Sequence, residues 1–169
     1  MNYSAIRNFD IANGEGVRLT LFVSGCTNNC PGCFNPEEQN FNYGEKYDAS
    51  TVTYLHTLLV NPVNTGLSIL GGDPLCQDDE GLLSLIDLCK FTHHLNKNVW
   101  LWTGYTWEDI HKNGRPLQVK LLDICDIVVD GPFIISESGM KLKWKGSGNQ
   151  RVIDVKETLQ SDIVTLYNN

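Results

Sequence analysis

Three of the chain's six cysteines fall within one short run, Cys26-Thr-Asn-Asn-Cys30-Pro-Gly-Cys33. Thiolates at that spacing on a loop can wrap one corner of a cubane iron–sulfur cluster, whose irons take cysteine ligands. Three ligands leave one iron open, and an open position is how a metal site admits a reacting group. Two other chemistries use the same residue types. Cys30-Pro-Gly-Cys33 alone has the spacing of a redox dithiol, a reading that leaves Cys26 without a task. A structural zinc site asks for a fourth ligand at matching spacing; Cys76, His56 and Cys125 are available, but none forms a second paired knuckle. A zinc or redox cysteine binding module therefore stands as an alternative of a different class. Cys89 and Cys125 read as small buried apolar residues, and Cys76 as core filling near the site.

A second candidate is Gly71-Gly72-Asp73-Pro74, which ends an apolar run some forty residues after the cysteines. Standing alone it reads as a tight turn. Placed after a strand and downstream of the cysteine run, it reads as part of a site. Asp130-Gly131 ends another apolar run and is expected to face the same pocket. The Lys145 to Arg151 turn lacks the order of a phosphate loop and reads as structural or partner-facing.

These loops need elements to hold them. Val17 to Val23 is β-branched and apolar and predicts a buried strand leading into the cysteines. Residues 35–48 are polar, with Pro, Asn and Gly, and predict a loop. Ser50 or Thr51 can cap a helix running through Val60, with Val52, Leu55, Leu58 and Leu59 on one face. Gly66 to Leu70 is a second strand. Asp78 to His94 carries Leu82, Leu85, Ile86, Leu88 and Cys89 at helical spacing. Asn98 to Trp102 is a third strand, on which Trp100 and Trp102 share one face. Trp107 to Lys112 and Leu117 to Ile124 predict short helices, and Ile127 to Val129 a fourth strand. Beyond Met140 the pattern weakens to a turn at Gly146 to Gly148 and a strand at Val152 to Val155.

Strands alternating with helices imply an α/β fold on a mostly parallel sheet. A closed eight-stranded barrel typically takes about 250 residues, more than this chain has. An open partial barrel or curved sheet is expected, with ligands outside the carboxyl ends of the strands. The three loops named above should converge there.

Composition bounds the rest. At 169 residues the chain is expected to form one domain, residues 1–169. A net charge of −7 argues against a nucleic-acid surface, which needs clustered Lys and Arg. The first residues hold no apolar signal segment. No apolar run approaches the roughly 18 residues that span a bilayer. A cytoplasmic protein without membrane contact is expected, in which cysteines are thiols or metal ligands rather than disulfides.

Taken together, the residues resemble a known family. The Cys-x-x-x-Cys-x-x-Cys run is similar to that of the radical S-adenosylmethionine superfamily. The narrower resemblance is to the activating proteins of anaerobic ribonucleoside-triphosphate reductase. Asn13 to Gly16, Leu21 to Cys26, Cys30 to Asn35, Gly71 to Leu75, Trp100 to Tyr105, Val129 to Gly131 and Gly146 to Arg151 carry it, in family order.

The resemblance implies a radical S-adenosylmethionine type of fold and a [4Fe-4S] cluster on Cys26, Cys30 and Cys33. Gly32, Cys33 and Phe34 would bring backbone groups to the adenine of S-adenosylmethionine. Gly71 and Gly72 would meet its methionine moiety, whose amino and carboxylate groups chelate the open iron, and Asp73 would accept from the ammonium. Many related enzymes carry a basic residue where this chain has Pro132. The implied reaction is reductive. An electron from an external, flavodoxin-like donor breaks the cofactor's C–S bond, and the 5′-deoxyadenosyl radical takes a hydrogen atom from a glycine of the large reductase subunit. Another glycyl radical enzyme, or a small molecule, is the alternative substrate within the superfamily.

Overall fold

The computed structural model describes residues 1–168. Among them one seven-stranded sheet and five α-helices make a mixed α/β fold. The strands are β1 (Asn2–Asp10), β2 (Arg18–Ser24), β3 (Glu45–Lys46), β4 (Gly66–Gly71), β5 (Asn98–Trp102), β6 (Ile127–Asp130) and β7 (Arg151–Asp154). The helices are α1 (Ala49–Leu59), α2 (Asp79–His94), α3 (Trp107–Asn113), α4 (Pro116–Ile124) and α5 (Val155–Ser161).

The sheet order is β3-β1-β2-β4-β5-β6-β7. β2, β4, β5 and β6 run parallel at its centre, while β1 and β3 on one side and β7 on the other are antiparallel. The order is linear, with β3 and β7 at opposite edges. The parallel strands point their carboxyl ends the same way, so the loops after β2, β4, β5 and β6 share one rim.

Alternation along each strand sorts the two faces. Leu19, Leu21, Val23, Leu67, Ile69, Val99, Leu101, Val128 and Ile153 face the helices. They close a core with Leu55 and Leu59 of α1, Leu82, Leu85, Ile86 and Cys89 of α2, and Leu121 and Leu122 of α4. The other face carries Arg18, Ser68, Trp100 and Trp102. Trp100 and Trp102 share it as the alternation requires, with ring centroids 5.8 Å apart. Trp102 Nε1 donates to the Trp144 carbonyl at 2.7 Å, pinning the 141–150 segment over this face.

Four elements differ from the sequence reading, one of them β3, which pairs with β1 from within the stretch 35–48 expected to be loop. The cap of α1 is Asp48, two residues before Ser50 and three before Thr51; its carboxylate accepts from the Ser50 and Thr51 amides. β1 is a half-covered strand of mixed polar and apolar residues and gave no alternating signal. α5 follows directly from β7, capped by Asp154, where the sequence carries only a short polar segment.

Candidate functional site

Residues 25–35 leave β2 as an irregular loop with little hydrogen bonding of its own. Gly25 N–H donates to the Glu38 carbonyl at 2.7 Å, Cys26 N–H to Gln39 at 3.2 Å, and Cys33 N–H back to Cys30 at 3.2 Å. Cys26, Cys30 and Cys33 are free thiols, each half-buried, and all three line one cavity. Gly71 and Gly72 after β4, Trp102 and Gly104 at the end of β5, and Gly131 after β6 line it too. The three loops therefore meet at the carboxyl rim of the parallel strands.

The lining holds no Asp, Glu, Lys, Arg or His among the described residues. Three half-buried thiols against an uncharged wall of backbone and aromatic surface suit a thiolate-bound iron–sulfur cluster. Such a cluster is wider than a single ion and takes its ligands further apart. On donor chemistry and on placement, the residues present fit the group.

Of the residues expected to contact S-adenosylmethionine, Cys33, Phe34, Gly71 and Gly72 line the cavity. Gly32, exposed on the turn, and Asp73, fully buried, are not part of its lining. Gly32 has φ +72° and a Cβ there would lie 2.4 Å from Ile135 Cδ1, so the turn between Cys30 and Cys33 needs glycine. Gly71 has φ +112°, and its Cβ would meet the Val23 carbonyl at 2.6 Å. Its missing side chain thus serves the pairing with β2 as well as the cavity.

Asp73 is fully buried and works as a polar hub. Its oxygens accept from Leu75 N–H (2.9 Å), Gly104 N–H (2.9 Å), Thr103 Oγ1 (3.0 and 3.1 Å) and Asn28 Nδ2 (2.8 Å). Burial, with the negative charge of Cys76 beside it, pushes the carboxyl up to about 7, and the donors pull the other way. Asn28 is the one donor that comes from the cysteine loop, and it is half-buried on the cavity lining. The carboxylate thus fastens the loops after β4 and β5 to the cysteine loop.

Cys76 is part of the site's surroundings rather than core filling. Its Sγ lies 3.3 Å from Thr27 Oγ1 and 3.6 Å from Tyr105 Oη. Donation from the Cys26 thiol, then from Thr27 and Tyr105, lowers the Cys76 thiol below its ordinary range. The same shared proton, and burial, push Cys26 up. Cys89 and Cys125 are buried, as their surroundings in the sequence suggest.

Asp130 does not face the cavity. Its carboxylate pairs with Arg151 Nε (3.0 Å) and Nη2 and accepts from Trp107 N–H at 2.8 Å. It fastens β6 to β7 and α3, because an antiparallel neighbour brings an arginine opposite it. Gly131, one residue on, takes the cavity position instead.

The sequence reading missed Asn28, Thr103 and Gln150 as site residues. Gln150 Oε1 accepts from Gly146 and Ser147, while its Nε2 donates to the Gly131 carbonyl at 2.9 Å, closing the far wall. The Gly-Ser-Gly-Asn-Gln-Arg run was the signal for it, read from the sequence as structural or partner-facing. Among the described residues no helix is long and apolar enough to cross a membrane.

Comparison with known proteins adds two kinds of likeness to this geometry, a family match and a set of relatives. Residues 12–153 match the family described as a 4Fe-4S single cluster domain. The chain is 38% identical over 153 residues to the anaerobic ribonucleoside-triphosphate reductase-activating protein of Enterobacteria phage T4, covering 90% of this chain and 93% of the relative. It is 34% identical over 159 residues to the protein of the same name from Escherichia coli K12, covering 90% and 97%. The corresponding figures for the Haemophilus influenzae protein of that name are 36% over 157 residues, 89% and 96%.

Proposed function

This chain belongs to the family of anaerobic ribonucleoside-triphosphate reductase-activating proteins, and from that membership we propose that it reductively cleaves S-adenosylmethionine and installs a glycyl radical on the reductase's large subunit. The observation that carries the reading is the meeting of Cys26, Cys30 and Cys33 with Gly71 and Gly72 on one uncharged cavity. Residues 1–169 are read as a single domain of radical S-adenosylmethionine type, its sheet an open partial barrel. A cytoplasmic setting and a flavodoxin-like electron donor belong to the same proposal.

Cys26, Cys30 and Cys33 would hold the [4Fe-4S] cluster as thiolates. When bound, the cluster and S-adenosylmethionine together supply a one-electron C–S cleavage and an organic radical able to take a hydrogen atom from a glycine Cα. The chain's own residues bind, orient and exclude. The backbone at Gly32, Cys33 and Phe34 would hold the adenine, and that at Gly71 and Gly72 the methionine moiety. Asp73 would receive the ammonium at the oxygen now given to Asn28, a contact between two charged groups replacing one from an uncharged donor. The open rim suits a substrate that is itself a protein loop, since hydrogen abstraction needs a near-attack approach of the reacting carbons.

The test is direct. The cluster-loaded chain, the large reductase subunit, S-adenosylmethionine and a reductant, mixed without oxygen, should give a glycyl doublet in electron paramagnetic resonance on the large subunit. 5′-Deoxyadenosine and methionine should appear with it. A silent reductase beside an activated different glycyl radical enzyme would reject the reductase as partner.

A further inference from the structure

One set of metal-binding donors around this site is not the cysteine run. Cys26 Sγ, Cys76 Sγ and a carboxylate oxygen of Asp73 all lie within 4.8 Å of one another. Among the described residues no other three Cys, His, Asp or Glu side chains come so close, and neither Cys30 nor Cys33 joins such a group. The three donors come from two loops, after β2 and after β4, that the fold already clamps together. Gly72 N–H bonds to the Val23 carbonyl at 2.7 Å and Asp73 N–H to the Gly25 carbonyl at 2.9 Å.

That spacing belongs to a single ion. A tetrahedral zinc with Zn–S near 2.3 Å and Zn–O of about 2.0–2.2 Å holds neighbouring ligand atoms roughly 3.5–3.8 Å apart. The present donors, all within 4.8 Å of one another, stand close to that distance. Two thiolates and one carboxylate are a soft-leaning set that selects zinc over the hard alkaline-earth ions. The carboxylate is also held as metal-bound carboxylates are, by outer hydrogen bonds from Leu75, Thr103 and Gly104. The remaining bond to the carboxylate comes from the Asn28 amide, on the cysteine loop itself. Thr27 Oγ1 and Tyr105 Oη stand beside Cys76 and would support its sulfur or a fourth, water ligand.

We propose that the cluster-free chain captures one thiophilic divalent cation, zinc foremost, between Cys26, Cys76 and Asp73. Cys26 then belongs to two alternative sets. With Cys76 and Asp73 it holds a single ion; with Cys30 and Cys33 it would hold the cluster of the activase reading. The two occupancies exclude each other, and zinc acts as a brake on cluster assembly.

The experiment uses the full-length chain, reduced, iron-free and without oxygen, titrated with zinc against a chromophoric chelator. Wild type should take about one tight zinc. Cys76→Ala should weaken binding by more than the roughly tenfold to hundredfold that losing an outer partner of a metal ligand costs. Cys76→Ser, which keeps the size and the hydroxyl neighbours, guards against a folding defect and should weaken it likewise. Cys30→Ala and Cys33→Ala should keep wild-type affinity. In a second arm, zinc should slow iron–sulfur reconstitution of wild type but not of Cys76→Ser, read as the growth of cluster absorbance. Undiminished zinc affinity in both Cys76 variants, or its loss in Cys30→Ala and Cys33→Ala, overturns the site. Equal slowing of wild type and Cys76→Ser overturns the brake. Iron loading of Cys76→Ser without zinc reports separately on the cluster, so failure of the zinc site and failure of the activase reading are told apart.

Discussion

Two buried charged groups stand at opposite ends of the sheet, Arg18 where β2 begins and Asp73 beyond where β4 ends, and they are satisfied in different ways. Arg18 is fully buried, and the chain's own structure closes around it. Its Nε donates to Ser68 Oγ (2.6 Å), Nη1 to the Glu15 carbonyl (3.0 Å) and Asn98 Oδ1 (2.8 Å), and Nη2 to the carbonyls of Leu67 (2.7 Å) and Asn98 (3.3 Å). Burial still lowers its pKa to about 10. Every partner is a strand residue or its hairpin neighbour, so the charge knots β2, β4 and β5 together and leaves no donor for a ligand. Asp73 has as many partners, but three of them, Asn28, Thr103 and Gly104, lie on the cavity lining, Asn28 reaches it from a separate, irregular loop, and two thiols stand beside the carboxylate. A charge enclosed by its own strands holds a fold. A charge with one replaceable partner at a cavity can serve a ligand.

That contrast breaks apart under substitution. The largest effect is expected at the open end: Cys26→Ala, Cys30→Ala and Cys33→Ala should each abolish the cluster, while Cys89→Ala and Cys125→Ala keep about four irons, as iron and sulfide analysis would show. Retained iron in all three motif variants would remove the cysteine run from the metal site. At the closed end, Arg18→Met strands five buried hydrogen-bond acceptors' worth of contacts. It should destabilise by about 3 kcal/mol and lower Tm by roughly 6–12 °C, with iron binding per folded chain unchanged. Calorimetry beside iron analysis checks both halves; iron loss without destabilisation would contradict the division of labour.

Asp73→Ala should fall between the two. It should leave the cluster in place and weaken S-adenosylmethionine binding about tenfold to a hundredfold, measured by calorimetric titration, for the loss of one charge-assisted contact. It should also lower stability by about 2 kcal/mol, because Leu75, Thr103 and Gly104 lose their acceptor. Unchanged cofactor affinity would make Asp73 a structural hub alone.

How far the sequence foretold this follows the same line. The central parallel strands and α2 were legible because apolar residues recur at the period of the element, and Asn98–Trp102 agrees residue for residue. The cysteine loop was legible from spacing, which needs no partner elsewhere in the chain. β1 and α5 were not, since one is half-covered and polar and the other short, and both are held by neighbours rather than by pattern. Asp130 was misplaced for a similar reason: an aspartate ending a strand looks the same whether it meets a cavity or an arginine on the next strand. The hub at Asp73 depends on Asn28, Thr103 and Gly104, residues brought together only by the sheet order.

The smallest effect is expected at the β7 edge, outside the contrast. Glu108 pairs with Arg151 at 2.7 Å, and that hydrogen bond holds its carboxyl below the ordinary range. The folded pKa is depressed, so the pair's contribution is full above the unfolded carboxylate pKa of about 4.3 and fades as pH falls through the lowered folded value. Glu108→Gln should cost well under about 1 kcal/mol at pH 7 for so exposed a pair, with the gap to wild type closing in acid. A gap that widened in acid, in denaturant melts across pH, would reverse the assignment.

The central claim is that the cysteine run and the glycine turn after β4 form one site for cluster and cofactor. Electron paramagnetic resonance of the reduced, cluster-loaded chain, recorded with and without S-adenosylmethionine, tests it most directly. The account predicts that the cofactor changes the cluster's spectrum, and that Asp73→Ala needs more cofactor for the same change. A spectrum indifferent to saturating S-adenosylmethionine would contradict it.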